Sequence, residues 1–212
     1  MPKINYDKLQ DYLTSLVPPR DAEMQKMEAY AEKNKFPALG AACGYYCYQL
    51  ARMIGAKSVF ELGSGYGYST AWFAKAVREN GGGIVHHTVW DDKLSAMAQD
   101  HLAKLGYADM VKFHNAEAVE SLRKTAGPFD IIFNDIDKEG YPDSLPVIKE
   151  KLRSGGLLII DNMIWHGQIL DPNDHEETTE AIRRFTRDVT TDSDWIVSLA
   201  PIRDGMIVAY KK

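Results

Sequence analysis

The chain has 212 residues, 45% hydrophobic and 26% charged, the composition of an ordinary globular protein able to bury a core without disulfides or structural metals. Its formal net charge of −5 gives the molecule as a whole no attraction for nucleic acid or anionic membranes. The polar opening, Met1 to Gln10, has no apolar signal core, and no run approaches the length of a membrane span, so a cytoplasmic protein is expected.

The first fifty or so residues carry no strand signal. Ile4, Leu9, Leu13, Leu16 and Val17 mark one amphipathic helix, stopped by Pro18-Pro19. A second helix is expected from Asp21 to Lys35 and a third from Ala41 to Ile54, ending at Gly55. Cys43 and Cys47 lie four apart on that third helix, a spacing with poor disulfide geometry, and read as buried core thiols. Tyr45, Tyr46 and Tyr48 lie on the same helix and either cover a ligand or, as such clusters more often do, pack into the core.

Beyond Gly55 short apolar runs alternate with helical patterns. The expected strands are Ser58–Leu62, Ile84–Val89, Val111–His114, Asp130–Asn134 and Leu157–Ile160. The intervening helices are expected at Ser69–Glu79, Lys93–Leu105, Glu117–Lys124 and Tyr141–Leu152, with a last one near Glu177–Asp188. Trp195–Ala200 and Met206–Tyr210, separated by the turn Arg203-Asp204-Gly205, read as an antiparallel hairpin. The pattern predicts an α/β protein: a mostly parallel sheet with helices on both faces and added N-terminal helices. One domain is expected over residues 1–212, with an N-terminal helical segment to residue 55 and the core from residue 56.

Val59 to Ser69 runs from a strand through a glycine-rich turn into a helix, with Gly63, Gly65 and Gly67 spaced as in many nucleotide sites. The turn lacks the Lys-Ser/Thr ending of a phosphate-gripping loop. Glu61, at the strand end, would repel a pyrophosphate but suits a cationic ligand such as the sulfonium of S-adenosylmethionine (SAM).

Two later strands end in oxygen donors, Asn134-Asp135-Ile136-Asp137-Lys138 and Asp161-Asn162. Neighbouring parallel strands would bring Asp135, Asp161 and Asn162 to one sheet edge. Oxygen donors without His or Cys favour Mg²⁺, with Ca²⁺ or Mn²⁺ as alternatives, and three protein ligands leave positions for water or substrate. Asp and Asn at strand ends also cap loops and helices, the plainer reading of each strand taken alone.

From about Leu39 onward these blocks resemble the metal-dependent catechol and caffeoyl-CoA O-methyltransferase family of class I methyltransferases. The marks are Glu61-Leu62-Gly63 with Gly67-Tyr68-Ser69, Asp135 with Lys138, and Gly155-Gly156 leading to Asp161-Asn162. The resemblance implies a Rossmann-like fold and SAM held by Glu61, Gly63, Ser64, Gly65, Gly67, Tyr68 and Ser69, with Asp135 at the junction of cofactor and metal. It further implies a metal on Asp135, Asp161 and Asn162, and Lys138 as the base. Ala116 and Glu117, after Val111–His114, match the adenine-side segment less tightly.

Two departures stand out. The family has a ribose-gripping acid at the end of the second core strand, where this chain has Trp90, with Asp91 one residue on; either one takes that side. Ile207 falls where the mammalian catechol enzyme has an acid near the substrate hydroxyl.

Trp165 and His166 follow the Asp161-Asn162 pair and are expected to border the acceptor, Trp165 as a flat wall or as core packing. Asp137 touches the metal shell or substrate, or pairs with Lys138. The acceptor expected is a small catechol or similar vicinal phenol. The alternative is 5-hydroxyuridine in tRNA, because Asp11-Tyr12-Leu13, Pro19-Arg20 and Met27 to Glu32 look like the bacterial tRNA members, although the acidic net charge speaks against RNA. A third possibility is a cofactor-binding protein without catalysis. The resemblance also implies a homodimer.

Overall fold

The computed structural model describes residues 5–212; Ile4, assigned above to the first amphipathic helix, lies outside them, as do Met1 to Lys3 of the polar opening. Three helices come first: α1 (Tyr6–Ser15), α2 (Ala22–Asn34) and α3 (Ala41–Met53). Asn5 caps α1 by accepting from the Lys8 amide at 2.9 Å. None of the α1 residues is fully buried, whereas α3 buries Cys43 and Cys47, both free thiols. Tyr45 and Tyr48 stack at 5.7 Å and pack against Trp72 of the next helix, which favours the core reading of this aromatic cluster.

The rest alternates β1 (Ser58–Leu62), α4 (Tyr68–Glu79), β2 (Ile84–Thr88), α5 (Asp92–Lys104), β3 (Val111–His114), α6 (Ala118–Lys124), β4 (Phe129–Asn134), α7 (Tyr141–Lys151), β5 (Leu152–Ile160), α8 (Glu177–Thr191), β6 (Trp195–Ala200) and β7 (Met206–Lys211). The strands form one seven-stranded sheet in the order β3-β2-β1-β4-β5-β7-β6. The first five are parallel, and β7 runs antiparallel between β5 and β6. This is a Rossmann-like fold.

Central strands buried on both faces explain the unbroken apolar runs in the sequence. Val59, Ile131, Phe133, Leu157 and Ile159 face a core made with α2–α5. Their neighbours Phe60, Ile132, Leu158 and Ile160 face the other, made with α6–α8. Successive side chains point to opposite faces, so each consecutive apolar pair serves both layers.

Most boundaries differ from expectation by three residues or fewer, and the largest difference is at β5. The chain passes from α7 straight into β5 at Leu152, five residues before the expected strand start. Phe129 pairs with Leu152 but Ile131 pairs with Leu157, so Arg153–Gly156 form a bulge. Gly155 takes φ +75, and Arg153 Nε bonds Asp130 Oδ1 at 2.6 Å. A polar glycine pair reads locally as a turn, and only the neighbouring strand keeps it in the ladder.

No helix among the described residues is long and apolar enough to cross a membrane. Strand order reverses at β1, whose successor β2 lies on one side and whose other neighbour β4 begins the second half. The crevice beyond the carboxyl ends of β1 and β4 is where such sheets bind ligands.

Candidate active site

Sheet register assembles the site. Leu62 of β1 pairs with Asn134 of β4, and Asn134 pairs with Ile160 of β5. The next residue on each strand is therefore Gly63, Asp135 and Asp161, side by side at one edge. The Asp135 amide donates to Leu62 O at 2.8 Å and the Asp161 amide to Asn134 O at 3.2 Å, extending the ladder to these residues.

The glycine turn leaves β1 with positive φ at Gly63 (+83), Gly65 (+51) and Gly67 (+91). A Cβ on Gly63 would collide with the Asp135 carbonyl, so the close approach of the two loops requires this glycine. Ser64 ties the turn to β2: its amide donates to Thr88 O at 2.9 Å and its Oγ accepts from the Thr88 amide at 3.0 Å. The first turn of α4 has no side-chain cap, so its amides remain available to an anionic group. Ser69, in that turn, is buried.

Glu61 is fully buried, and neither carboxylate oxygen has a hydrogen-bond partner. Burial pushes its pKa up to about 7, only partly offset by the nearby hydroxyls of Ser69, Thr70 and Ser64. An orphaned buried carboxylate of this kind is costly unless a cation or donor meets it.

Helix α2 braces the turn from outside. Arg20 grips Glu28 through two bonds of 2.9 Å, and Tyr68 donates to Glu28 Oε1 at 2.6 Å. Tyr66 donates to Met27 O at 3.0 Å. Arg20 and Glu28, part of the tRNA-enzyme likeness above, thus have an internal role in holding the glycine turn.

At the corner expected to meet the ribose, Trp90 is 82% exposed just past the end of β2. Asp91 caps α5, its Oδ1 accepting from Lys93 and Leu94 amides at 2.8 and 2.9 Å. Glu117 is similarly engaged as the cap of α6, accepting from Val119 and Glu120 amides at 2.8 and 2.6 Å, with Ala116 exposed beside it.

At the acidic corner, Asp161 is 1% exposed and its Oδ1 has no partner. Burial, and then the charge of Asp135, push its pKa up to about 7. Asp135 is raised by burial too, although Lys138 opposes that. Lys138 lies in a 3₁₀ turn after β4, and its amine donates to Asp135 Oδ1 (2.9 Å), Ile136 O (3.1 Å) and Tyr141 Oη (2.8 Å). Tyr141 passes the chain on, donating to Asp161 O at 3.0 Å. The lysine is therefore paired with Asp135 and not with Asp137, which is exposed.

The loop after β5 bends sharply, with positive φ at Asn162 (+60), Trp165 (+49), His166 (+54) and Gly167 (+89). The Trp165 ring centroid lies 5.9 Å from the Lys138 amine, and the Tyr141 ring centroid 4.9 Å from it. His166 is largely exposed, its ring 5.5 Å from that of Trp165.

Sequence reasoning missed three residues here. Tyr141 reads locally as the start of a helix, and Arg203 and Asp204 read as a turn. Asp204, 7% exposed, accepts the His166 amide at 2.6 Å, and Arg203 donates its amide to Gln10 Oε1 at 2.8 Å, bringing α1 to this corner. No local signal distinguishes Asp204, since Asp before Gly is ordinary turn chemistry. Ile207 is buried and pairs with Ile160, so the position is core. Among the described residues one further acid–histidine group, Glu23 with Asp100 and His101, lies elsewhere, and Lys26 and Lys104 already engage its carboxylates.

The O-methyltransferase family model matches residues 20–212. A catechol O-methyltransferase of Niastella koreensis is 29% identical over 98% of both chains. A catechol O-methyltransferase of Mycobacterium tuberculosis is 30% identical over 76% of this chain and 69% of its own. Among solved structures, the O-methyltransferase TomG of Streptomyces achromogenes in complex with SAM superposes with a TM-score of 0.86 at 25% identity, covering 97% of this chain and 96% of that one.

Proposed function

The chain belongs to the O-methyltransferase family and is a SAM-dependent O-methyltransferase, and from that premise we propose that its acceptor is a small catechol or similar vicinal phenol and that transfer requires a divalent cation. The observation that carries the cation is the pair Asp135 and Asp161 on adjacent strand ends: Asp161 is fully buried with an orphaned oxygen, and Asp135 is partly buried beside it. Two such anions side by side repel each other, and a cation relieves both costs.

Asp135, Asp161 and Asn162 would hold it, and the all-oxygen set suits Mg²⁺. When bound, such a cation supplies Lewis-acid stabilisation of a deprotonated hydroxyl. The residues of the chain do the rest. Gly63 to Gly67 admit SAM close to the backbone, the free amides of α4 suit its carboxylate, and Glu61 offers the buried counter-charge for its cationic portion. The ribose falls to the Trp90–Asp91 corner and the adenine side to Ala116 and Glu117.

Lys138 Nζ accepts the acceptor's hydroxyl proton, which requires a neutral amine and release of one of its three internal bonds. The oxygen then forms its bond to the methyl carbon as the carbon–sulfur bond breaks, the electron pair staying on sulfur. Trp165 supplies a flat wall for an aromatic ring, with Asp137 and His166 at its exposed rim. Alignment of the two reactants is the main contribution of the fold.

The test is methyl transfer from labelled SAM to a catechol panel and, separately, to unmethylated tRNA, each with Mg²⁺ and with chelator. Chelator-sensitive label in catechols supports the proposal. Label confined to tRNA would transfer the assignment to 5-hydroxyuridine, and undiminished transfer with chelator would remove the cation.

A further inference from the structure

A metal-ligating asparagine has a problem that aspartate lacks: only one end of its amide is a ligand. Asn162 Nδ2 points to Asp204 Oδ2 at 3.4 Å. An ionised carboxylate only accepts, so it attracts the NH₂ end and repels the carbonyl oxygen. The arrangement leaves Asn162 Oδ1 as the end available to the Asp135–Asp161 corner.

Asp204 is itself rigidly placed. It is 7% exposed, its Oδ1 accepts the His166 amide at 2.6 Å, and its carbonyl accepts the Ile164 amide at 2.7 Å. Gly205 O accepts the Met163 amide at 2.9 Å. The Arg203–Gly205 turn is thus stitched along the whole of the strained loop that begins at Asn162. The next residue of that turn, Gly205, takes φ +83 with Ile164 packed against it, leaving no room for a side chain.

We propose that Asp204 is a positioning residue for the cation site, turning the Asn162 amide so that its oxygen faces the cation. This rests on the cation reading above. Outer residues that orient ligands typically matter by about 10–100-fold in metal affinity.

The experiment measures Mn²⁺ affinity of the 212-residue chain, without SAM or acceptor, by calorimetry and by the loss of free-ion electron paramagnetic resonance signal. Four proteins form a cycle: the parent, Asp204→Asn, Asn162→Asp and the double variant. Asp204→Asn keeps an oxygen for the His166 amide but no longer dictates the amide's orientation, and is expected to weaken Mn²⁺ about tenfold or more. Asn162→Asp presents oxygen whichever way it turns, so in that background Asp204→Asn should cost much less, only what the loss of one nearby negative charge takes. Equal weakening in both backgrounds would show that Asp204 acts through loop stability or its charge and not by turning the amide, and would overturn the proposal, as would parent-like binding by Asp204→Asn. The cation reading is checked separately with Asp135→Asn: if that leaves Mn²⁺ binding unchanged, or the parent binds none, the failure lies in the site itself and the proposal goes with it.

Discussion

The amine of Lys138 donates to Asp135 Oδ1 at 2.9 Å while Tyr141 holds it from the other side at 2.8 Å. All three of its donors are engaged within the chain, so the proposed base is positioned before any ligand arrives. Its side chain is 10% exposed, a setting in which position is fixed by packing as well as by charge.

Replacing that amine should separate chemistry from binding. Lys138→Met is expected to lower kcat by about 10²–10⁴-fold, the usual contribution of a positioned base. Its affinity for SAM, read by calorimetry, should stay within a few-fold of the parent. A variant that binds SAM and retains the full rate would exclude Lys138 from proton transfer.

Glu61 should show opposed effects on stability and affinity. Its folded pKa of about 7 lies above the ordinary 4.5, so its contribution to stability is lost as pH rises through 7. At pH 8 the ligand-free protein therefore carries an unpaired buried charge. Glu61→Gln is expected to stabilise that state by about 1–2 kcal/mol, read as a higher Tm, while weakening SAM at least tenfold. A variant with lower Tm and unaltered SAM affinity would mean that the carboxylate serves the fold instead.

Gly63→Ala combines positive φ with a collision against the Asp135 carbonyl. A loss of roughly 2–4 kcal/mol is expected from strain and overpacking together. Denaturant unfolding measures it, and a loss below about 0.5 kcal/mol would show that the two loops separate easily.

Acid should expose a buried histidine cluster. His86 Nδ1 and His114 Nε2 lie 2.9 Å apart, and burial holds His86 down at about 4 and His87 at about 3. Below pH 6.5 the unfolded chain takes up protons that these folded rings refuse, so their contribution to stability falls as pH falls toward 4. Glu61 and Asp161, raised in the folded state, act in the opposite direction over part of that range. The histidine effect is therefore best read as a difference: between pH 7 and pH 5, His86→Phe should lose less stability than the parent in urea unfolding. An identical loss would show that His86 takes no part.

Much of the fold was legible because its determinants are local. The strands of Val, Ile, Leu and Phe, the glycines of the first turn and the alternation of periods each announce an element within a dozen residues. The oxygen donors after β4 and β5 could be paired in advance because parallel strands end at one edge. The bulge at Arg153–Gly156 could not, since those residues enter the strand only through pairing with β4.

Partnerships formed across the chain were decided by tertiary structure alone. Asp204 meets Asn162 and His166 across some forty residues, Tyr68 meets Glu28 across forty, and Tyr141 links Lys138 to Asp161. Hydrogen bonding depends on tenths of an ångström and on direction, whereas residue type and spacing set only which groups are available. The sequence therefore determined the donors and their order along the chain; the packed sheet and its loops decided which of them face one another.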